Sequence, residues 1–246
     1  FATLRPQRVV HLAAQAGVRY SLENPHAYID ANIVGTTNIL EGCRHNGVEH
    51  LVYASSSSVY GANARLPFRT TDHVSHPLSL YGASKKANEA MAHAYANLFN
   101  LPATGLRFFT VYGPWGRPDM AMWVFVSSIL AGKPIKLFNS GNMSRDFTYV
   151  DTVTAVLADA LVRRVVEPEP INLAYGSRIS LLEVIAELES LLGRTLERTH
   201  TPTRPGDVPH SQADSSRVQT LFDHVEPTPF ADGLRSTVEW MASVIG

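Results

Sequence analysis

A single cysteine among 246 residues, Cys43, excludes an intramolecular disulfide framework. Long apolar runs are lacking too: none approaches the roughly 20 residues that a membrane-spanning helix needs. Neither charge sign is in excess. The 21 Lys and Arg residues against 22 Asp and Glu leave a formal net charge of −1. Such a chain has no long-range field for nucleic acid or an anionic membrane, so an anionic ligand has to be met by a few local arginines. The ten histidines show no metal-like spacing, and no metal is expected. Phe1–Pro6 has neither a charged n-region nor a following apolar h-region, and it lacks an initiating methionine. Together these absences exclude a secreted disulfide scaffold, a membrane protein and a nucleic-acid binder. They point to a reducing, cytoplasmic setting and a small ligand. With 45% hydrophobic and 17% charged positions, the chain can bury one good core or two modest ones.

What is present is an alternation of buried-strand and helical patterns, the signature of βαβ units on a parallel sheet. Strands are predicted at 8–14, 50–55 and 104–109. Between the first two, Ile29, Ile33, Thr36, Thr37, Leu40 and Cys43 recur at spacings of three or four and predict a long helix over 25–46, with Gly47 where a C-terminal cap belongs. A second, alanine-rich helix is predicted from Ser79 to Asn100, where Pro102 forbids continuation. Beyond Gly113 the pattern leaves the sheet: a Pro/Gly-rich loop, a helix to Gly132, a strand at 135–138 and a polar loop at 139–145. A helix over 151–164 and a strand at 170–174 return to it. Segments 180–192 and 195–201 and two C-terminal helices complete a smaller lobe. The expected architecture is α/β, a doubly wound parallel sheet formed by 1–112 and 146–176, with a smaller α/β substrate-binding lobe from 113–145 and 177–246. In open α/β sheets ligands sit beyond the carboxyl ends of the strands.

Chemistry-bearing residues fall at those ends. Ser55-Ser56-Ser57-Ser58 leaves the second strand, and Tyr81-Gly-Ala-Ser-Lys85 opens the next helix. Four residues apart, Tyr81 and Lys85 share one helix face, and an ammonium near a phenol favours the phenolate. A tyrosine of lowered pKa is a usable general base, and a serine hydroxyl from the facing strand end can relay the proton. That trio suits removing a proton from an alcohol as hydride leaves its carbon. The pair alone is ordinary helical spacing. Its placement about 25 residues after the serine turn, each motif at a strand exit or helix start, carries the argument.

With these motifs the chain resembles the extended short-chain dehydrogenase/reductases that act as NAD-dependent nucleotide-sugar epimerases and dehydratases. The resemblance covers nearly the whole chain. It implies a Rossmann-like fold with bound NAD, catalytic roles for Ser56, Tyr81 and Lys85, and cofactor contacts from the His-Leu-Ala-Ala stretch at Leu12, Ala13 and Ala14, from Ala54, and from Phe108 and Phe109 beside the nicotinamide. It also implies that Arg145, in Arg-Asp-Phe-Thr-Tyr-Val-Asp, and Arg204, in Arg-Pro-Gly-Asp, grip the diphosphate of a UDP-sugar, with Asp207 as the ribose-binding acid and Phe138 among the substrate contacts. A planar guanidinium binds phosphate oxygens in bidentate fashion, so the arginines suit that role. The helices at 25–46 and 79–100 resemble the pair through which this family forms a four-helix homodimer interface.

Within the family, dehydratases carry Asp-Glu after the catalytic Ser/Thr, and decarboxylating relatives keep a glutamate at the second place. Here Ser57 and Ser58 stand there, which leaves 4-epimerisation. The stretch from Phe108 to Met120 is similar to that of UDP-glucuronate 4-epimerases. Ser57, Ser58, Thr110 and Arg117 would supply hydroxyl donors and one positive charge to a uronate carboxylate. A UDP-glucose/UDP-galactose 4-epimerase is the alternative of the same class. The family's opening strand and Gly-x-x-Gly-x-x-Gly turn are not in this sequence, and at about 30 residues per βαβ unit roughly 70 residues are expected to precede Phe1. A chain truly lacking them would be a nucleotide-sugar-binding or scaffold remnant without NAD, the alternative of another class.

Overall fold

The computed structural model describes residues 1–63, 65–202 and 208–245. Four strands form a wholly parallel sheet in the order β1 (Arg8–His11), β2 (His50–Ser56), β3 (Ala103–Phe108) and β7 (Ile171–Leu173), counting strands along the chain. β2 is buried along nearly its whole length, as a strand covered on both faces must be. The register sets Ser56 beside Phe108 at the carboxyl edge.

β1 ends at His11 rather than at Ala14. The chain peels away because the Gln15 backbone bonds to a side chain instead of a strand: its N–H donates to Asn32 Oδ1 at 2.8 Å, and its carbonyl accepts from Asn32 Nδ2 at 3.0 Å. After α1 (Tyr20–Glu23), the long helix predicted over 25–46 runs as α2 (Pro25–Tyr28), a π-helical turn (Ile29–Val34) and α3 (Gly35–His45). The wider turn seats Asn32 in the interior, where its amide also donates to Ser84 Oγ at 2.9 Å. α4 (Leu80–Phe99) is capped by Ser79, whose hydroxyl accepts from Gly82 N, and it stops at Asn100 in the left-handed conformation. α3, α4 and β2 enclose Leu40, Cys43, Leu51, Tyr53 and Ala92.

The excursion from the sheet contains β4 (Thr110–Tyr112), α5 (Ala121–Leu130), β5 (Ile135–Phe138) and β6 (Ser144–Tyr149). β6 pairs in parallel with β4 and antiparallel with β8 (Arg178–Ser180), while β5 pairs in parallel with β9 (Arg198–Thr201). α6 (Val150–Arg163) returns the chain to the first layer, and α7 (Leu181–Leu192) starts on a reciprocal capping box between Ser180 and Glu183. α5, α7 and α9 (Phe230–Ile245) pack with these strands around Phe125, Val126, Leu137, Val184, Leu188 and Leu234. The shorter C-terminal helix, α8 (Ser216–Leu221), does not join that lobe as its position in the sequence suggested. Val218 and the following Phe222 are fully buried against Val52, Leu106 and Ile171 of the parallel sheet, a face that needs an apolar cover.

The turn after β2 ends in Gly61 with φ 56° and ψ −125°, a conformation open only to glycine, and a Cβ there would collide with the His76 carbonyl. Gly61→Ala is expected to lower stability by about 1–3 kcal/mol in equilibrium denaturation.

Candidate active site

The carboxyl ends of β2 and β3, the start of α4 and the second lobe enclose a cavity of about 730 Å³. Ser56 closes β2, and its Oγ accepts the Ser58 N–H at 3.1 Å, capping the 3₁₀ turn Ser57–Tyr60. That single bond turns the chain sharply enough for Ser56, Ser57 and Ser58 all to line the cavity. Beside it, the first turn of α4 presents Tyr81, close enough for the Ser56 hydroxyl to act on its phenol. Tyr81 also lies edge-on to Tyr28, with ring centroids 6.2 Å apart. One turn on, Lys85 is 5% exposed and its Nζ donates to the Ala54 carbonyl at 2.8 Å. Serine, tyrosine and lysine thus converge on one wall.

The electrostatics differ from the expectation in one respect. Burial pushes the Tyr81 phenol above its ordinary value, opposed first by the Ser56 hydroxyl and then by the Arg117 guanidinium. The Arg117 guanidinium is thus a cation whose field reaches the phenol. Burial also lowers Lys85, to about 8, because a charged ammonium is poorly solvated there. A lysine depressed from 10.5 in the unfolded chain to about 8 is less protonated when folded, so its contribution to stability rises with pH across that window. Lys85→Met is therefore expected to be more stable than the parent protein below about pH 8, by roughly 3 kcal/mol. That advantage should fade toward pH 10.5, as paired urea titrations at several pH values will read.

Leu12, Ala14, Phe108 and Phe109 line the same cavity, with Leu12 48% exposed in it. Ala13 does not line it, since alternate residues of an extended segment face opposite ways. Phe109 is mostly buried with Tyr60 and Phe68. Thr110, Phe138 and Arg145 lie on the wall formed by the second lobe. Arg145 lines the cavity, and its guanidinium is fixed by Nη1, which donates to the carbonyls of Ser144 and Pro209 at 2.9 and 2.8 Å. Arg204 and Asp207 lie outside the described residues. Arg117 reaches the cavity but carries its own counterion: Nε and Nη2 donate to the two Asp119 carboxylate oxygens at 2.9 and 2.6 Å.

Sequence reading missed Arg19 and Lys136, both of which line the cavity. Arg19 had a legible signal, since Gly17-Val18-Arg19 begins three residues after the strand-end motif closes at Ala14, and its charge helps hold Asp119 ionised. Among the described residues no group of histidine, cysteine and carboxylate side chains could hold a metal ion, and no helix is long and apolar enough to cross a membrane.

Residues 1–174 match the family model of the NAD dependent epimerase/dehydratase family. Protein CapI of Staphylococcus aureus is 46% identical over 98% of this chain and 77% of its own length. A probable UDP-glucuronate 4-epimerase of Rhizobium meliloti is 42% identical over 96% of this chain and 74% of its own length. The crystal structure of a UDP-glucuronic acid 4-epimerase from Bacillus cereus, in complex with UDP-glucuronic acid and NAD, superposes with a TM-score of 0.90 at 34% identity, covering 97% of this chain and 76% of that one. A parallel sheet with Ser56, Tyr81 and Lys85 at its carboxyl edge, together with these matches, establishes that the chain belongs to the NAD dependent epimerase/dehydratase family.

Proposed function

We propose that this protein catalyses NAD-dependent 4-epimerisation of a UDP-sugar, with UDP-glucuronate and UDP-galacturonate as the interconverted pair. The observation that carries the reading is the convergence of Ser56, Tyr81 and Lys85 in one cavity that Thr110 and Arg145 also line. The likeness to relatives named for UDP-glucuronate supports the choice of sugar.

The residues present fit the nicotinamide half of a dinucleotide. Leu12, Ala14 and Phe108 expose apolar surface to the cavity that a flat ring would cover, and Lys85 and Tyr81 stand at the same wall to hold a ribose. When bound, NAD supplies a hydride acceptor that can return the hydride and, in its oxidised form, a positive charge beside the phenol. Ser56 orients the C4 hydroxyl and passes its proton to Tyr81 as the hydride leaves C4. Lys85, anchored on the Ala54 carbonyl, holds Tyr81's surroundings and the ribose in place. The 4-keto sugar would then turn over, and Tyr81 would return the proton as bound NADH supplied the hydride to the other face of the ring. Arg145 and Arg204 restrain the diphosphate, and Phe138 and Asp207 the nucleoside, while the pyranose ring rotates.

A uronate oxidised at C4 is a β-keto acid, which loses CO2 when its carboxylate bond aligns with the carbonyl π system. Ser57, Ser58 and Thr110 hold the carboxylate out of that alignment by hydrogen bonds, with Arg117 supplying charge once it shares or releases Asp119. The Arg117–Asp119 pair is the specific observation that favours the second reading, a UDP-glucose/UDP-galactose epimerase, because a paired guanidinium offers less to an anion. Steady-state kinetics on both substrates decide. The proposal expects kcat/KM for UDP-glucuronate at least about 100-fold above that for UDP-glucose, the size of two charge-assisted hydrogen bonds, and comparable values would reject it. A homodimer through the outer faces of α2 to α4 belongs to the same proposal. Ile29, Val34 and Leu98 stand exposed there.

A further inference from the structure

Beneath the site lies a buried polar network that the chemistry above does not use. Arg107 on β3 and Glu89 on α4 are 2% and 4% exposed. Arg107 Nε donates to Glu89 Oε1 at 2.8 Å and Nη2 to Oε2 at 2.9 Å. Arg107 Nη1 donates to the Tyr60 hydroxyl at 2.9 Å, which donates in turn to Asn172 Oδ1 on β7 at 2.6 Å. Ser55 Oγ donates to Glu89 Oε1 at 2.6 Å, and Lys86 Nζ reaches Oε2 at 3.2 Å. Burying such a pair contributes little to stability compared with apolar side chains of the same volume, because desolvation offsets the attraction. Its placement suggests another use.

Glu89 is one helical turn beyond Lys85 and two beyond Tyr81, on the same face of α4. Ser55 immediately precedes Ser56. The bond from Ser55 to Glu89 and the bond from Lys85 to the Ala54 carbonyl are therefore consecutive rungs joining α4 to the end of β2. Together they fix the height of the Tyr81–Lys85 face against the strand end that carries the relay hydroxyl. Arg107 precedes Phe108, so the same guanidinium ties that rung to the strand carrying the apolar wall.

We propose that Glu89 and Ser55 are positioning residues, which set the distance between the Ser56 hydroxyl and the Tyr81 phenol and keep Lys85 seated on Ala54, with Arg107 as the fixed counter-charge of the device. The proposal rests on the reading of Ser56, Tyr81 and Lys85 as the proton-handling group. Positioning of this kind acts on kcat rather than on substrate affinity, because a relay displaced by about 1 Å loses on the order of 10²-fold.

The experiment compares the full-length protein with its Ser55→Ala and Glu89→Gln variants by three readouts: kcat and KM on UDP-glucuronate, melting temperature, and the titration of Lys85 by ¹³C NMR of the lysine side-chain resonances, with Lys85 assigned by substitution. Ser55→Ala leaves the ion pair intact. It should melt within a few degrees of the parent, lose kcat at least 10-fold with KM unchanged within 3-fold, and move the Lys85 midpoint upward as water gains access to the ammonium. Glu89→Gln should do the same to kcat and to Lys85, and should also lower the melting temperature. The inference is overturned if Ser55→Ala keeps kcat within 2-fold and leaves the Lys85 midpoint in place. It is also overturned if Glu89→Gln loses only melting temperature, since the network would then be structural alone. The lysine titration needs no turnover. It therefore tests the inference even if UDP-glucuronate proves not to be the substrate, a failure that Tyr81→Phe and the kinetics on other UDP-sugars would reveal separately.

Discussion

Tyr81→Phe is expected to lower kcat on UDP-glucuronate by on the order of 10³–10⁴-fold while leaving KM within a few fold, the range lost when a general base is removed from its transition state. The substitution deletes one oxygen at the residue that faces both Ser56 and Arg117 and leaves a ring of the same shape against Tyr28. Folding should be untouched, and a circular-dichroism melt provides the control. Because burial holds the phenol above its ordinary value in the chain alone, activity in the parent should climb with pH up to the base's apparent pKa in the loaded enzyme. A Tyr81→Phe variant with more than about a tenth of parental kcat would remove tyrosine from the mechanism.

The second large effect concerns the carboxylate. Thr110→Val combined with Arg117→Ala is expected to reduce kcat/KM for UDP-glucuronate by on the order of 10²–10³-fold, since each charge-assisted hydrogen bond contributes about 1.5–3 kcal/mol. Turnover of UDP-glucose should fall much less, only by what the lost Arg117 field at Tyr81 costs both substrates alike, because its C6 hydroxyl asks for no cation. The loss is deepened by Asp119, which would keep its negative charge at the cavity without its partner. Asp119→Asn runs the other way: it frees the Arg117 guanidinium and should lower KM for the uronate about 3- to 10-fold, the range of a modest charge interaction near a protein surface. A carboxylate no longer restrained should also align with the C4 carbonyl part of the time, so the double variant should release CO2 and form a UDP-pentose. If UDP-glucuronate remains preferred in the double variant, the carboxylate is held elsewhere.

Much of this arrangement could be read from residue order, and what could not has physical reasons. The strands expected at 50–55 and 104–109 fall within one residue of the observed ends at Ser56 and Phe108, because buried strands are short, apolar-rich runs bounded by helix and turn signals. The shared face of Tyr81 and Lys85 followed from the helical period alone. The π-helical turn at Ile29–Val34 was invisible, since one wider turn leaves the same apolar spacing to either side. What selects it is Asn32 meeting Gln15 and Ser84 at long range. The short strands β4 and β8 exist only through their pairing with β6 and have no signature of their own. The Arg117–Asp119 pair, two residues apart in a Pro/Gly-rich loop, depends on a loop conformation that spacing does not dictate. The raised phenol of Tyr81 follows from how deeply the helix start is buried, which only the assembled lobes determine. The Glu89–Arg107 pair, separated by 18 positions, was present in the sequence as two unremarked charges.

The central claim is that hydride leaves C4 of a UDP-sugar and returns to the same carbon. It is tested most directly by incubating the full-length protein with NAD and UDP-glucuronate deuterated at C4, and following the sugar by NMR. The account predicts UDP-galacturonate with the deuterium still at C4, none in water, and no net reduced nicotinamide. Loss of the label to solvent, accumulation of a decarboxylated UDP-pentose, or unchanged UDP-glucuronate would contradict it.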